Sequence, residues 1–119
     1  MQDEVIDKQA IDRLLDMIGG DPEDLQELLD EFEQSAPDIV ASMRTAADEG
    51  DLRALRINAH SLKSNATDMG AHRLSAMCAS LEAACRDETV REPMAQIDAI
   101  DQELTRVRAA LTALAGPNG

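Results

Sequence analysis

The stretch Leu52-Arg53-Ala54-Leu55-Arg56-Ile57-Asn58-Ala59-His60-Ser61-Leu62-Lys63-Ser64-Asn65-Ala66-Thr67-Asp68-Met69-Gly70 sets Leu52, Leu55, Ala59, Leu62, Ala66 and Met69 at alternating spacings of three and four. That is the unbroken apolar seam of an amphipathic helix, predicted over Leu52 to Met69. Gly70 ends it, since glycine takes the left-handed conformation of a helix stop without strain. From Ala71 to Arg86 the pattern resumes with Leu74, Met77 or Cys78, Leu81, and Ala84 or Cys85. A break at Gly70 alone leaves no room for a crossover, so the two helices form an antiparallel hairpin.

Outward from the hairpin, helix signals punctuate the rest of the chain. A short helix from Asp7 to Ile18 puts Ile11, Leu14, Leu15 and Ile18 on one face, stops at Gly19-Gly20, and is expected to cap the structure. Asp21-Pro22-Glu23-Asp24 has an N-cap, a proline at the first helical position and acids in the first turn. Leu25, Leu28, Leu29 and Phe32 follow, then Ile39, Val40, Met43 and Ala47 before Gly50 and the cap Asp51. Pro37 divides the readings there: Ser35-Ala36-Pro37-Asp38 either starts a new helix or lies inside a kinked one. A last helix from Glu92 to Ala115 presents Ile97, Ile100, Leu104, Val107, Leu111 and Leu114, and Gly116-Pro117-Asn118-Gly119 reads as a flexible tail.

Composition agrees with an all-helical chain. Apolar residues make up 44% of 119 residues but aromatics only 1%, with Phe32 the sole ring. The core is therefore Leu, Ile, Met and Ala, helix formers rather than the β-branched and aromatic set of sheets. Length fits one domain. With Pro37 inside one long helix, the expected fold is an up-down antiparallel four-helix bundle over 21–115, with a short additional N-terminal helix within 1–20 and a tail at 116–119. The seam of the last helix has one other use, pairing two chains as a coiled coil.

The net charge of −13, from 24 acids and 11 bases, opposes binding to nucleic acid and to anionic lipid. Met1-Gln2-Asp3-Glu4 lacks the basic and apolar regions of a signal peptide, and no stretch approaches the roughly 18 apolar residues of a membrane span. A cytoplasmic protein is expected. Cys78 and Cys85 lie about 10 Å apart along one helix at about 1.5 Å per residue, beyond disulfide reach. They read as small buried apolar residues.

His60 falls about 130° from the centre of its helix's seam, so its imidazole should be wet. Arg53, Arg56, Lys63, Ser64 and Thr67 share that side, a stripe of donors with no carboxylate among them. Between Leu52 and Leu81 stand Arg53, Arg56, Lys63 and Arg73 against Asp68 alone, an inversion of the chain's overall charge. A phosphoryl dianion is least repelled there. A neutral imidazole, with an ordinary pKa of about 6.5, keeps a lone pair free to attack phosphorus. Lys63, at i+3, can set its ammonium beside the transferred oxygens, and Ser64, at i+4, is small enough to leave the ring open. Asn65 lies further round the helix.

With Ala59, His60, Leu62, Lys63, Gly70, Leu74, Leu81 and Glu82 at their spacings, and Phe32-Glu33-Gln34-Ser35-Ala36-Pro37 upstream, the chain resembles the histidine phosphotransfer (HPt) family. The resemblance is densest from Ala59 to Arg86 and extends loosely from about Asp21 to Leu114. It implies a four-helix bundle with one long, bent helix from Pro22 to Glu49, and a phosphoacceptor at His60. It implies that the phosphoryl group comes from a receiver-domain aspartate and passes to another receiver in a two-component phosphorelay, leaving a phosphohistidine in between. His60 is then a carrier, not an enzyme's complete active site. Mg²⁺ and the catalytic carboxylates belong to the receiver, and this chain binds no cofactor of its own. Where the family usually has glycine, Ser64 stands, which bears on the rate of transfer.

The expected partners are response-regulator receiver domains and a hybrid histidine kinase, docking over the His60 stripe on Arg53, Arg56, Ile57 and Ala71, with the chain a monomer. Lys63, Ser64 and Thr67 are the expected phosphate-stabilising residues. Glu82 is expected to pair with a neighbouring helix, and His72 to be an ordinary polar residue. Two rivals stand beside this reading: an adaptor bundle that binds through the same face without phosphorylation, and a dimeric phosphotransferase or histidine-kinase fragment. A zinc site from His60, His72, Cys78 and Cys85 fails, because no pair has the i, i+3 or i, i+4 spacing of helix-borne ligands. No Gly-x-Ser-x-Gly or Gly-rich phosphate loop supports a hydrolase.

Overall fold

The computed structural model describes residues 5–115. The expectations for Met1–Glu4 and for the 116–119 tail lie outside them. Five helices follow one another: α1 (Lys8–Met17), α2 (Pro22–Asp48), α3 (Leu52–Asp68), α4 (His72–Arg86) and α5 (Pro93–Ala115), with no strand among the described residues. Each boundary lies within one residue of its expected position. The caps explain why. The Asp21 side chain accepts from Glu23 N at 2.9 Å, and Asp51 accepts from Ala54 N at 3.0 Å, satisfying amides that a bare helix start leaves unpaired.

α2 runs unbroken through Pro37. An interior proline costs about 3 kcal/mol, but Phe32, Val40 and Met43 are buried on one face across it. At about 1.5 kcal/mol or more for each large side chain removed from water, that burial outweighs the lost hydrogen bond, so continuity prevails over a fresh helix start.

α2, α3, α4 and α5 close a ring in which each packs on its neighbours and the diagonal pairs do not meet. Arg44 reaches Asp98 and Asp101 at 2.6 and 3.0 Å, while Glu33 takes Arg108 at 3.1 Å, so α2 and α5 run antiparallel. The centre is Met43, Leu55, Leu62, Leu74, Leu81, Ile97, Ile100, Leu104, Val107 and Leu111, all essentially inaccessible. α5 is the fourth wall, and its seam is taken up within the chain instead of being left for a coiled-coil partner. That seam ends at Leu111, because Leu114 is already 37% exposed. Cys78 and Cys85 fill the alternative core positions of α4, both free and buried.

α1 packs on α2 and α3. Of its expected face only Ile11 is fully buried, with Leu14 partly buried against the core, and Ala10 and the preceding Ile6 are buried beside them. Its entry is pinned to the hairpin turn. Asp7 N donates to Gly70 O at 2.9 Å, and a Cβ at Gly70 would lie 2.7 Å from Asp7 O. Gly70 is thus required both by its φ of +74° and by the backbone passing over it.

Candidate functional site

α3 and α4 lie side by side in a register centred on the Gly70-Ala71 turn, so residues equally far from it face each other. His60 meets Glu82, and Thr67 meets Ser75, their hydroxyls 2.7 Å apart. The result is a polar line along the outside of the hairpin, above an apolar floor of Ala59, Leu62 and Cys78.

The His60 side chain is 57% exposed, as helical periodicity required. Its Nδ1 lies 2.9 Å from Glu82 Oε2, and Lys63 Nζ lies 2.6 Å from Glu82 Oε1. One carboxylate therefore bridges the candidate phosphoacceptor and the candidate phosphate-stabilising lysine. The expected stripe without a carboxylate is corrected here: on α3 alone none is present, but α4 inserts one. Glu82 does pair with a neighbouring helix, and that helix is the one bearing His60.

Lys63, then the His60 hydrogen bond, hold the Glu82 carboxyl below its ordinary range against the opposing effect of partial burial. It is ionised at neutral pH and can only accept. Nδ1 must then be the protonated ring nitrogen, leaving the Nε2 lone pair uncommitted. Orientation of the ring, its tautomer and the place of the ammonium all follow from one acid.

Ser61, Ser64 and Thr67 are exposed, so small or polar side chains surround the ring. The Thr67 hydroxyl donates to Lys63 O at 2.9 Å, placing it within the hairpin's polar line. Arg53 is exposed, Arg56 is half-buried and Ile57 is 49% exposed, all on the side of α3 that His60 occupies. Ala71 is a correction. At the N-cap of α4 and within the core cluster, it is fully buried and leaves no surface for a docking partner. Ala79 and Ala83 of α4, near Glu82 in sequence, are half-buried.

His72 is also tied, its Nε2 3.0 Å from Asp7 Oδ2. It fastens α1 instead of serving as a second acceptor. Among the described residues no group of three or more His, Cys, Asp or Glu is arranged to hold a metal ion, and no helix is long and apolar enough to cross a membrane.

Comparison with known proteins places this geometry. The Hpt domain model matches residues 27–110. The crystal structure of histidine-containing phosphotransfer protein B (HptB) from Pseudomonas aeruginosa PAO1 is similar at a TM-score of 0.87 and 26% identity, covering 96% of each chain. No curated protein matches in sequence.

Proposed function

The chain belongs to the Hpt domain family, and we propose that it takes part in a phosphorelay with His60 as the group that receives and returns the phosphoryl. The observation that supports this most is the exposed ring whose Nδ1 is held by an ionised Glu82. In the forward step the Nε2 lone pair forms an N–P bond as the P–O bond to a receiver aspartate breaks, and that carboxylate leaves with the electron pair. The ring keeps its Nδ1 proton throughout, so the attack needs no general base. The positive charge left on the phosphorylated ring faces the Glu82 carboxylate. Return to a second receiver is the same step reversed.

Lys63 meets the three phosphoryl oxygens with the N–H groups that Glu82 leaves free, and Ser64 keeps the approach open while offering a hydroxyl. Thr67 completes the polar line. Mg²⁺, where bound, neutralises charge on the transferring group. We assign it and the catalytic carboxylates to the receiver partner, so that His60 acts as carrier. Arg53, Arg56 and Ile57 face that partner. A hybrid histidine kinase upstream, a response regulator downstream, a monomeric state and a cytoplasmic site complete the reading.

The test is incubation with a phosphorylated receiver domain and Mg²⁺, followed by acid and alkali treatment of the labelled chain. Acid-labile, alkali-stable label that vanishes in His60→Gln is the expected result. Label persisting in that variant would overturn the assignment of His60. A wild-type chain that binds the receiver but takes up no label would leave the adaptor reading in its place.

A further inference from the structure

In a chain with more than twice as many acids as bases, an arginine without a carboxylate beside it needs a reason. Among the described residues, every arginine of α2, α4 and α5 has one. Arg44 lies on Asp98 and Asp101, Arg73 and Arg106 on Glu103, Arg86 on Asp87, and Arg108 on Glu33. Arg53 and Arg56, the arginines of α3, make no ion pair among the described residues. Among the described residues Arg13 and Arg91 make no ion pair either, but neither has a second arginine one turn away.

Neither ion pairing within the chain nor the helix dipole accounts for this placement. Arg53 stands in the first turn of α3, just after the cap Asp51, where the helix dipole disfavours a cation. At i, i+3 the two guanidinium groups repel each other. Both lie one to two turns before His60 on the same side of α3. α2, which packs on α3, carries eight acidic residues against the single Arg44. Arg53 and Arg56 thus stand as unpaired cations on the candidate phosphoacceptor's own helix, in a chain that is otherwise strongly acidic.

We propose that Arg53 and Arg56 form an intermolecular clamp for carboxylates on the surface of the phosphoryl-exchanging partner, and that they set both encounter rate and partner choice. This rests on the carrier reading of His60. The guanidinium fork suits a carboxylate bidentately, and the unpaired charge turns the His60 face toward an anionic protein surface before contact. Partners with acids flanking their phosphorylated aspartate are served quickly, and those with a neutral rim slowly.

The experiment measures the second-order rate of transfer from a phosphorylated receiver to the full chain at low and high salt, for wild type, R53Q/R56Q and R53K/R56K. The expected result is a wild-type rate that falls about tenfold or more with salt. R53Q/R56Q should be about as slow at low salt and nearly insensitive to salt, with the same final labelling of His60 and no loss of thermal stability. R53K/R56K should recover most of the salt dependence. Transfer by R53Q/R56Q at the wild-type rate and salt slope would overturn the clamp and leave His60 as carrier. A wild-type chain that never becomes labelled would bring down the carrier reading, and the clamp with it.

Discussion

The His60 ring is held by Glu82 across 2.9 Å, from the next helix, and the same carboxylate holds Lys63 across 2.6 Å. Two residues three apart on α3 are thereby locked to one point on α4. The ring cannot turn without exchanging a charge-assisted hydrogen bond for water, and the lysine head is kept beside it at low entropic cost.

Replacing Glu82 with alanine should slow transfer about tenfold, the kinetic equivalent of about 1.4 kcal/mol, by freeing both the ring and the ammonium. Glu82→Gln should lose less speed, because its amide oxygen still accepts from Nδ1. Nitrogen chemical shifts of the imidazole check the cause: wild type should show Nδ1 protonated at neutral pH, and Glu82→Ala a mixture of tautomers.

Acid should weaken this arrangement in a defined direction. The Glu82 carboxyl is held below its ordinary value of 4.5, chiefly by Lys63. Its contribution to stability is therefore full above that ordinary value and is lost as pH falls from it through the lower folded one. Asp7, lowered chiefly by its bond to His72, adds to the same loss. Urea denaturation across that range should show a shallower decline for Glu82→Gln than for wild type.

Gly70 and Gly50 should respond differently to alanine although both have positive φ. At Gly50 nothing lies within 4 Å of an added Cβ, so the cost is the backbone conformation alone, about 1 kcal/mol. At Gly70 the new atom meets Asp7 O at 2.7 Å and Ala10 Cβ at 2.8 Å. That variant should lose about 2 kcal/mol or more and release α1, seen as faster amide exchange in that helix.

Cys78 should not react with thiol reagents in the folded chain at neutral pH. Burial is the main cause that pushes its thiol up to about 12, and the Glu82 charge adds to it. Labelling should appear only at the rate of unfolding, whereas a reaction faster than that would mean that the α3–α4 floor opens locally.

The elements were legible from local signals, since a seam of Leu55, Ala59, Leu62 and Ala66 or a cap such as Asp21 depends on a few neighbouring residues. His60 was legible for the same reason: exposure follows from its angle to that seam. Ala71 was not: it follows Gly70, over which Asp7 and Ala10 pass, residues sixty or more positions away that no local pattern brings there. Nor was the partnership of Glu82 with both His60 and Lys63. It needs the relative register of two helices, which no single helical wheel contains, although the equal distances of His60 and Glu82 from Ala71 were a usable clue. Leu114 looked like core on spacing and proves half exposed, since a seam has no mark for where its neighbours end.

The turn at Gly70-Ala71 acts as a ruler. One residue added there and taken up into the first turn of α4 would rotate the rest of that helix by about 100° and slide it by about 1.5 Å relative to α3, carrying Glu82 off the ring and Ser75 off Thr67. The length of a loop that never touches phosphorus is thus a chemical parameter of the protein, as binding as the identity of its histidine.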